Sequence, residues 1–319
     1  MELLVAMGVF ALLVALLLPA VQQTREQARQ TDCRNRLKQI GLALEAFESA
    51  NHALPPRSIQ RQRNAPGLPT VGVSPHYSLL PYLDQRALFA QIDVNRESGM
   101  GWHNDPATSA VNTPAMAAPV PVFRCPSDGA SHGRVNYRAS LGTSSQGHAT
   151  IGDDPAEGAR VGFIAADRRA EITDGVSQTV FFAERLVGDA DDSTYVAYRD
   201  AAYVDADMKT AESSLKACFT VSQLPASHAS HLGTSWLAPS LGQTLYNHIL
   251  PPNSSIPDCG YCGYGQCGGS AAIASRSLHP GGVHTLMGDG AVRFVNSSID
   301  LKLWRALGTI QSGEVVGEW

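Results

Sequence analysis

The chain has 319 residues, 44% of them apolar and 17% charged, with 29 Gly, 19 Pro and six Cys. That is enough apolar material for a substantial core in two domains at most, at roughly 150 residues per domain, and the Gly and Pro content argues against a plain helical bundle. With 24 basic and 29 acidic side chains the net charge is −5, and basic residues cluster only at 25–38, which excludes a nucleic-acid footprint.

Residues 3–20, LLVAMGVFALLVALLLPA, are uncharged and apolar, close to the shortest run that can span a bilayer. Only Glu2 and Met1 precede them, whereas a secretory signal would carry a basic n-region, a shorter apolar core and a cleavage site. The chain continues into AVQQTREQARQTDCRNRLKQIGLALEAFESAN without a linker. Leu37, Ile40, Leu44 and Phe47 recur at three- and four-residue steps and share one helical face, with Arg25, Glu26, Arg29, Arg34, Arg36 and Lys38 on the others. A continuous helix from Leu3 to Asn51 would be roughly 70 Å long, so half of it must protrude. Pro19 is expected to kink or locally unwind it, and Leu54-Pro55-Pro56 to follow its end.

The expected class is α+β, with the helix as one unit (1–53) and a β-rich head with long loops as the other (54–319). In chain order the head predicts a short helix near 84–91 and strands near 120–124, 161–165 and 178–184. Asp174-Gly175 reads as a turn before the last of these. The segment 186–270 thins into Gly, Ser, Asp and Pro and predicts long loops. VHTLM and AVRFV flank Gly288-Asp289-Gly290, a hairpin signal, and DLKLWRALG at 300–308 predicts a closing helix anchored by Leu303, Trp304 and Leu307.

Chemistry-bearing motifs are sparse. No G-x-S-x-G elbow or H-E-x-x-H helix is present, and no enzyme is expected. His279 and Asp289 could meet across a hairpin as an acid–base pair. The plainer reading gives Asp289-Gly290 the tight turn and His279 a hydrogen bond to the loop before the hairpin. Asp189, Asp191, Ser193 and Asp200 occupy positions 1, 3, 5 and 12 of a calcium-loop count, but Thr194 replaces the required glycine and a solvated acidic loop is expected. Cys33, Cys125, Cys218, Cys259, Cys262 and Cys267 are even in number, which behind a membrane segment suggests disulfides. CGYCGYGQC has C-x2-C-x4-C spacing and, with Cys218 and His228 or His231, offers zinc as the alternative, although the second half of a zinc module is missing. No cofactor is expected.

Taken together, these stretches resemble a known family. The opening glutamate, apolar core, Pro19 and amphipathic second half are similar to the N-terminal helix of type IV pilin-like proteins. Cys33 followed by NRLKQIGLAL, then LLPYLDQRALFAQID, FRCPSD, EITDGVSQTVFFAE, YNHILPPNS and LHPGGVHTLMGDGAVRFVNSSIDLKLWRALGT, resemble the DUF1559 pilin-like (pseudopilin G-like) group. His279, nine residues, then Asp289-Gly290 reproduces the spacing by which that group's C-terminal region is known. One departure is the basic leader ending in glycine that prepilin peptidase cuts: Met1 stands in its place, and a misplaced start is the expected reason.

The resemblance implies a single-pass inner-membrane protein with an extracytoplasmic head, assembling into a pilus-type or type II secretion-type filament. Its partners would be copies of itself, other pilin-like subunits, the inner-membrane assembly machinery and, given a leader, prepilin peptidase. Glu2 would pair with a neighbour's N-terminal ammonium, where an unassembled reading makes it an acid favouring the helix dipole. Pro19 would unwind locally on assembly, or simply end the span. A Cys33–Cys125 bridge would join two family motifs and clamp helix to head, leaving three pairings for the other four cysteines. Two rivals remain: an anchored extracytoplasmic binding protein that never polymerises, and an exported metal-dependent enzyme.

Overall fold

The computed structural model describes residues 2–56, 74–94, 112–145, 162–206, 208–221, 227–260, 270–314 and 317. Helix α1 (Glu2–Asn51) is continuous and about 75 Å long at 1.5 Å per residue. It passes through Pro19 without a break. Every described side chain from Leu3 to Arg25 is exposed, and burial begins in earnest at Cys33. Cys33, Leu37, Ile40 and Leu44 are fully buried, the face set out by the three- and four-residue spacing.

Short helices follow. α2 (Pro75–Leu79) is capped by the Ser74 hydroxyl, which accepts the Tyr77 N–H, and Pro75 supplies a ready-made φ in its first turn. α3 (Arg86–Gln91) lies inside the expected 84–91 helix, and α4 (Thr113–Ala117) follows. The strands expected near 120–124 and 161–165 are instead single 3-10 turns at Pro121–Phe123 and Phe163–Ala165. Pro121 has no N–H to give a ladder, and Phe163 turns inward to stack on Phe181 at 4.2 Å between centroids.

Among the described residues the strands form two mixed sheets. The larger orders β5 (Leu245–Tyr246), β1 (Tyr137–Ser140), β2 (Val180–Glu184), β8 (Gly282–Met287) and β9 (Val292–Asn296), antiparallel except for the β1–β5 pair. The smaller orders β4 (His228–Ala229), β3 (Ala201–Tyr203), β6 (Asp258–Gly260) and β7 (Ala271–Ala272), with β3 and β6 parallel. The region expected as long loops therefore carries a small sheet and helix α5 (Ala211–Phe219), started by a Thr210–Ser213 capping box. Helix α6 (Leu301–Ala306) closes the chain under an Asp300 cap, with Trp304 and Leu307 buried and Leu303 only half-buried.

The C-terminal half of α1 lies against β8 and β9. Gly41 makes the approach close: a Cβ there would stand 2.9 Å from a Leu286 methyl. At the hairpin tip Gly290 takes φ +80°, and a Cβ would meet Glu45 Oε1 at 2.6 Å. The Lys38 ammonium donates to the Gly290 carbonyl at 2.7 Å, and the Arg36 guanidinium to the carbonyls of Pro121 and Arg124 at 2.8 and 2.6 Å.

Candidate functional site

Where α1 enters the head, four distant parts of the sequence converge. Cys33 of α1 and Cys125 of the FRCPSD loop form a disulfide with Cα atoms 5.1 Å apart. Over it lies His279, in the loop leading into β8. Its Nε2 is 3.6 Å from Cys125 Sγ and 3.1 Å from Glu184 Oε1 at the end of β2. Its Nδ1 is 3.0 Å from Glu26 Oε1, on the last turns of α1 before the helix emerges. Both ring nitrogens face carboxylates, which accept only, so the ring carries both protons as an imidazolium. Burial works against that charge, but Glu184 and Glu26 together hold the His279 pKa above its ordinary value.

The two carboxylates are themselves tied down. Burial disfavours ionised Glu184, yet hydrogen bonds from His279 and His284 outweigh it and hold its pKa below the usual range. His284 contributes twice, through its backbone N–H to Oε2 at 2.7 Å and its Nδ1 at 3.3 Å. Desolvation likewise opposes ionised Glu26, and Arg29, His279 and Ser127 overcome it, so its pKa is lowered. The Ser127 hydroxyl donates at 3.1 Å and Arg29 at 2.8 Å.

Behind this cluster Asp258 of β6 receives two buried guanidiniums, Arg185 and Arg276, each with an Nη2 at 2.8 Å. Arg185 follows β2 directly, so the ion pair joins the two sheets. Asp128 of the FRCPSD loop continues the network to Arg199 at 2.7 Å and to the Asn136 amide at 2.6 Å. A cavity of about 10 Å³, room for about one water, lies between the two layers against Cys125, Ser127, Glu184 and Ser277.

Several expected sites sit elsewhere. His279 and Asp289 flank opposite ends of the six-residue strand β8, about 20 Å of extended chain, and cannot form an acid–base pair. Asp289 does serve the turn, accepting the Ala291 N–H at 2.9 Å beside Gly290. The His279 ring bonds to Glu26 and Glu184, while its backbone N–H donates to the Ser277 hydroxyl in the loop before the hairpin at 3.1 Å. The acidic loop spends its carboxylates on its own backbone: Asp191 accepts from the Ser193 N–H, and Asp200 from those of Val196 and Asp189. Asp200 is buried, which pushes its pKa up to about 6. Cys218 and Cys259 form a second disulfide, Cα atoms 5.3 Å apart, which removes two thiolates from the zinc alternative. Cys262 and Cys267 lie outside the described residues, as do the contacts of the Glu2 side chain. Pro19 sits on the exposed rod, among other exposed side chains.

Glu26, Glu184 and His284 were missed by sequence reasoning. Glu184 follows an apolar run and looks like a strand end, and Glu26 looks like one more charge on a wet helix. Only their meeting on His279 marks them.

The profile of a family described as "Protein of unknown function (DUF1559)" matches residues 22–302. The chain belongs to the DUF1559 family. No curated protein and no solved structure matches it. All five side chains around His279, namely Glu26, Cys33, Cys125, Glu184 and His284, lie within the span of the family match, whereas the apolar run up to Pro19 precedes it.

Proposed function

We propose that this DUF1559 chain is a non-enzymatic, membrane-anchored subunit of a pilin-like filament of the pilus or type II secretion kind. One observation carries the reading. Every described side chain of α1 over residues 3–21 is exposed in an apolar run, and from Cys33 onward the same helix buries one face, Cys33, Leu37, Ile40 and Leu44, in the head. Eleven large apolar side chains, from Leu3 to Val21, have no cover from their own chain. A rod that is apolar on all sides requires lipid or other helices around it. Its length and composition suit a membrane anchor, and the two disulfides suit an extracytoplasmic head.

In this reading the rod is stored in the inner membrane and moves into a bundle of identical or related rods on assembly. Lipid and helix core are similarly apolar, so the drive is packing, polar pairing and avidity along the fibre. Ala6 and Gly8 give small surfaces for close packing, and nothing within 4 Å would meet a Cβ at Gly8. Glu2 supplies the polar pairing, to the N-terminal ammonium of a neighbour. The partners are further copies, other pilin-like subunits and the inner-membrane assembly machinery, with prepilin peptidase acting where a leader is present.

The test is Glu2→Ala in the full chain. Carbonate extraction should still find the protein in the membrane, while sheared surface fractions and electron microscopy lose their fibres. Fibres unchanged by the substitution would remove Glu2 from assembly. A wild-type chain that stays monomeric in detergent and never makes fibres would favour the anchored binding protein.

A further inference from the structure

We propose that Cys33, Cys125, Glu184 and His279 form a latent tetrahedral site for a divalent metal of the zinc class, opened when the Cys33–Cys125 disulfide is reduced. The four residues are buried, and one ligand atom from each lies within 4.8 Å of all the others. A tetrahedral zinc with bonds of about 2.0–2.3 Å needs its ligand atoms about 3.3–3.8 Å apart. Two of those edges already stand near the required length: His279 Nε2 to Cys125 Sγ at 3.6 Å, and His279 Nε2 to Glu184 Oε1 at 3.1 Å. The edge that must open is the disulfide itself, and rotation about the two Cα–Cβ bonds separates the sulfurs once the bond is gone.

The surroundings are those of a metal-ligating histidine. Ligand imidazoles usually donate their second N–H to a carboxylate, a backbone carbonyl or a water, which fixes ring orientation and tautomer. Glu26 already holds Nδ1 in this way at 3.0 Å and is steadied by Ser127 and Arg29. Glu184 keeps Oε2 on the His284 backbone N–H and presents Oε1 to His279 Nε2 and His284 Nδ1. The water-sized cavity against Cys125 and Glu184 leaves space for the cluster to expand.

The chemistry balances with a dithiol reductant. It delivers two electrons and two protons to the S–S bond and leaves as its own disulfide, giving two thiols. The metal then displaces both thiol protons and the Nε2 proton to solvent. All four positions are filled by protein, so the site is structural: it would hold α1 to the head whenever the covalent clamp is absent. This goes beyond the filament reading and does not depend on it.

The experiment loads full-length protein in detergent with zinc or cobalt(II), anaerobically, before and after reduction by a water-soluble phosphine, which departs as its oxide. Metal is counted after removal of the excess. Reduction should add one tightly held equivalent, with cobalt(II) showing thiolate charge-transfer and tetrahedral bands. That equivalent should survive in the Cys218→Ser/Cys259→Ser/Cys262→Ser/Cys267→Ser chain and vanish in Cys33→Ser and His279→Gln. Glu26→Gln should keep the stoichiometry and weaken affinity by about 10- to 100-fold. Uptake unchanged by reduction, or retained in His279→Gln, overturns the proposal. So does a reduced chain whose circular dichroism shows the head already unfolded before metal is added.

Discussion

His279 Nδ1 lies 3.0 Å from Glu26 Oε1, a contact that spans 253 residues and joins the base of the protruding helix to the C-terminal hairpin region. The imidazolium is shared, because Nε2 holds buried Glu184 on the opposite side. The two carboxylates are not equivalent. Glu184 is 2% exposed and would be left with His284 alone, whereas Glu26 is 23% exposed and keeps Arg29. Removing one partner of a buried pair costs about 3–5 kcal/mol, a partly exposed one about 1 kcal/mol or less. Urea denaturation of the disulfide-intact chain should therefore show His279→Gln losing about 3 kcal/mol and Glu26→Gln no more than about 1 kcal/mol. Equal losses would mean that the histidine acts only through the helix contact.

Asp258 stands between Arg185 and Arg276 with all three side chains at most 1% exposed. Asp258→Asn leaves two guanidiniums buried without a countercharge, and should cost about 3–5 kcal/mol. Replacing all three together by apolar residues of similar volume removes charge and partner alike. That triple variant should recover most of the loss in the same denaturation assay. A triple variant as unstable as Asp258→Asn would show that the hydrogen bonds to the Ile256 and Ser254 carbonyls, rather than charge compensation, hold the two sheets together.

The disulfides should rank by the chain they close. Cys33–Cys125 encloses a separation of 92 residues and Cys218–Cys259 one of 41. Loop-closure entropy predicts about 4.6 and about 3.9 kcal/mol, both upper values. Paired Cys→Ser variants should keep that order in urea, and the Cys33/Cys125 pair should also expose the helix. Limited proteolysis would then cut within the Arg34–Asn51 stretch of α1 in that variant alone.

Much of the scaffold was legible in the sequence because its signals are local. The three- and four-residue spacing from Leu37 to Phe47 marks a buried helical face, and Gly288-Asp289-Gly290 between apolar runs marks the β8–β9 hairpin. The small sheet was not legible, since strands of two or three residues, such as Ala271–Ala272, are too short to show a period. Val120 to Arg124 looks like a strand by composition, but proline inside it favoured a turn. The cluster was legible only in part: the family resemblance joined Cys33 to Cys125 and named His279, but nothing local tied Glu26 or Glu184 to them. Its members sit at positions 26, 33, 125, 184 and 279, and only the path of α1 across the sheet brings them together. The H-x9-D-G spacing pointed from His279 to Asp289, at the wrong end of the strand, while its true partners carry no local mark.

Acid should destabilise the head through two buried histidines that are not members of this cluster. His248 donates from Nδ1 to the Trp304 carbonyl at 2.8 Å and accepts the Tyr246 hydroxyl at Nε2, also at 2.8 Å. Its ring stacks on Trp304 at 4.0 Å, and Gly308 leaves no room for a side chain beneath it. Burial keeps it neutral and takes its pKa from 6.5 to about 3, while burial takes His76 to about 4. Both folded values lie below the unfolded one, so the unfolded chain binds more protons and stability falls as pH drops below about 6.5. By pH 5 each contributes a loss of about 2 kcal/mol. Asp200 works in the opposite sense: burial raises it from 3.8 to about 6, so folding gains stability as pH falls across that interval. His279, raised by its carboxylates, contributes stability that disappears only as pH rises above 6.5. The lowered carboxyls of Glu184 and Asp258 lose theirs below the ordinary carboxylate range. Between pH 6 and 4 two histidines outweigh one aspartate, and the net slope is about one proton. Denaturant midpoints taken across that range should fall with acid, steepen in Asp200→Asn by about one proton, and flatten in His248→Phe, which keeps the stack on Trp304. A slope unaffected by either substitution would place the acid sensitivity in the ion-pair network instead.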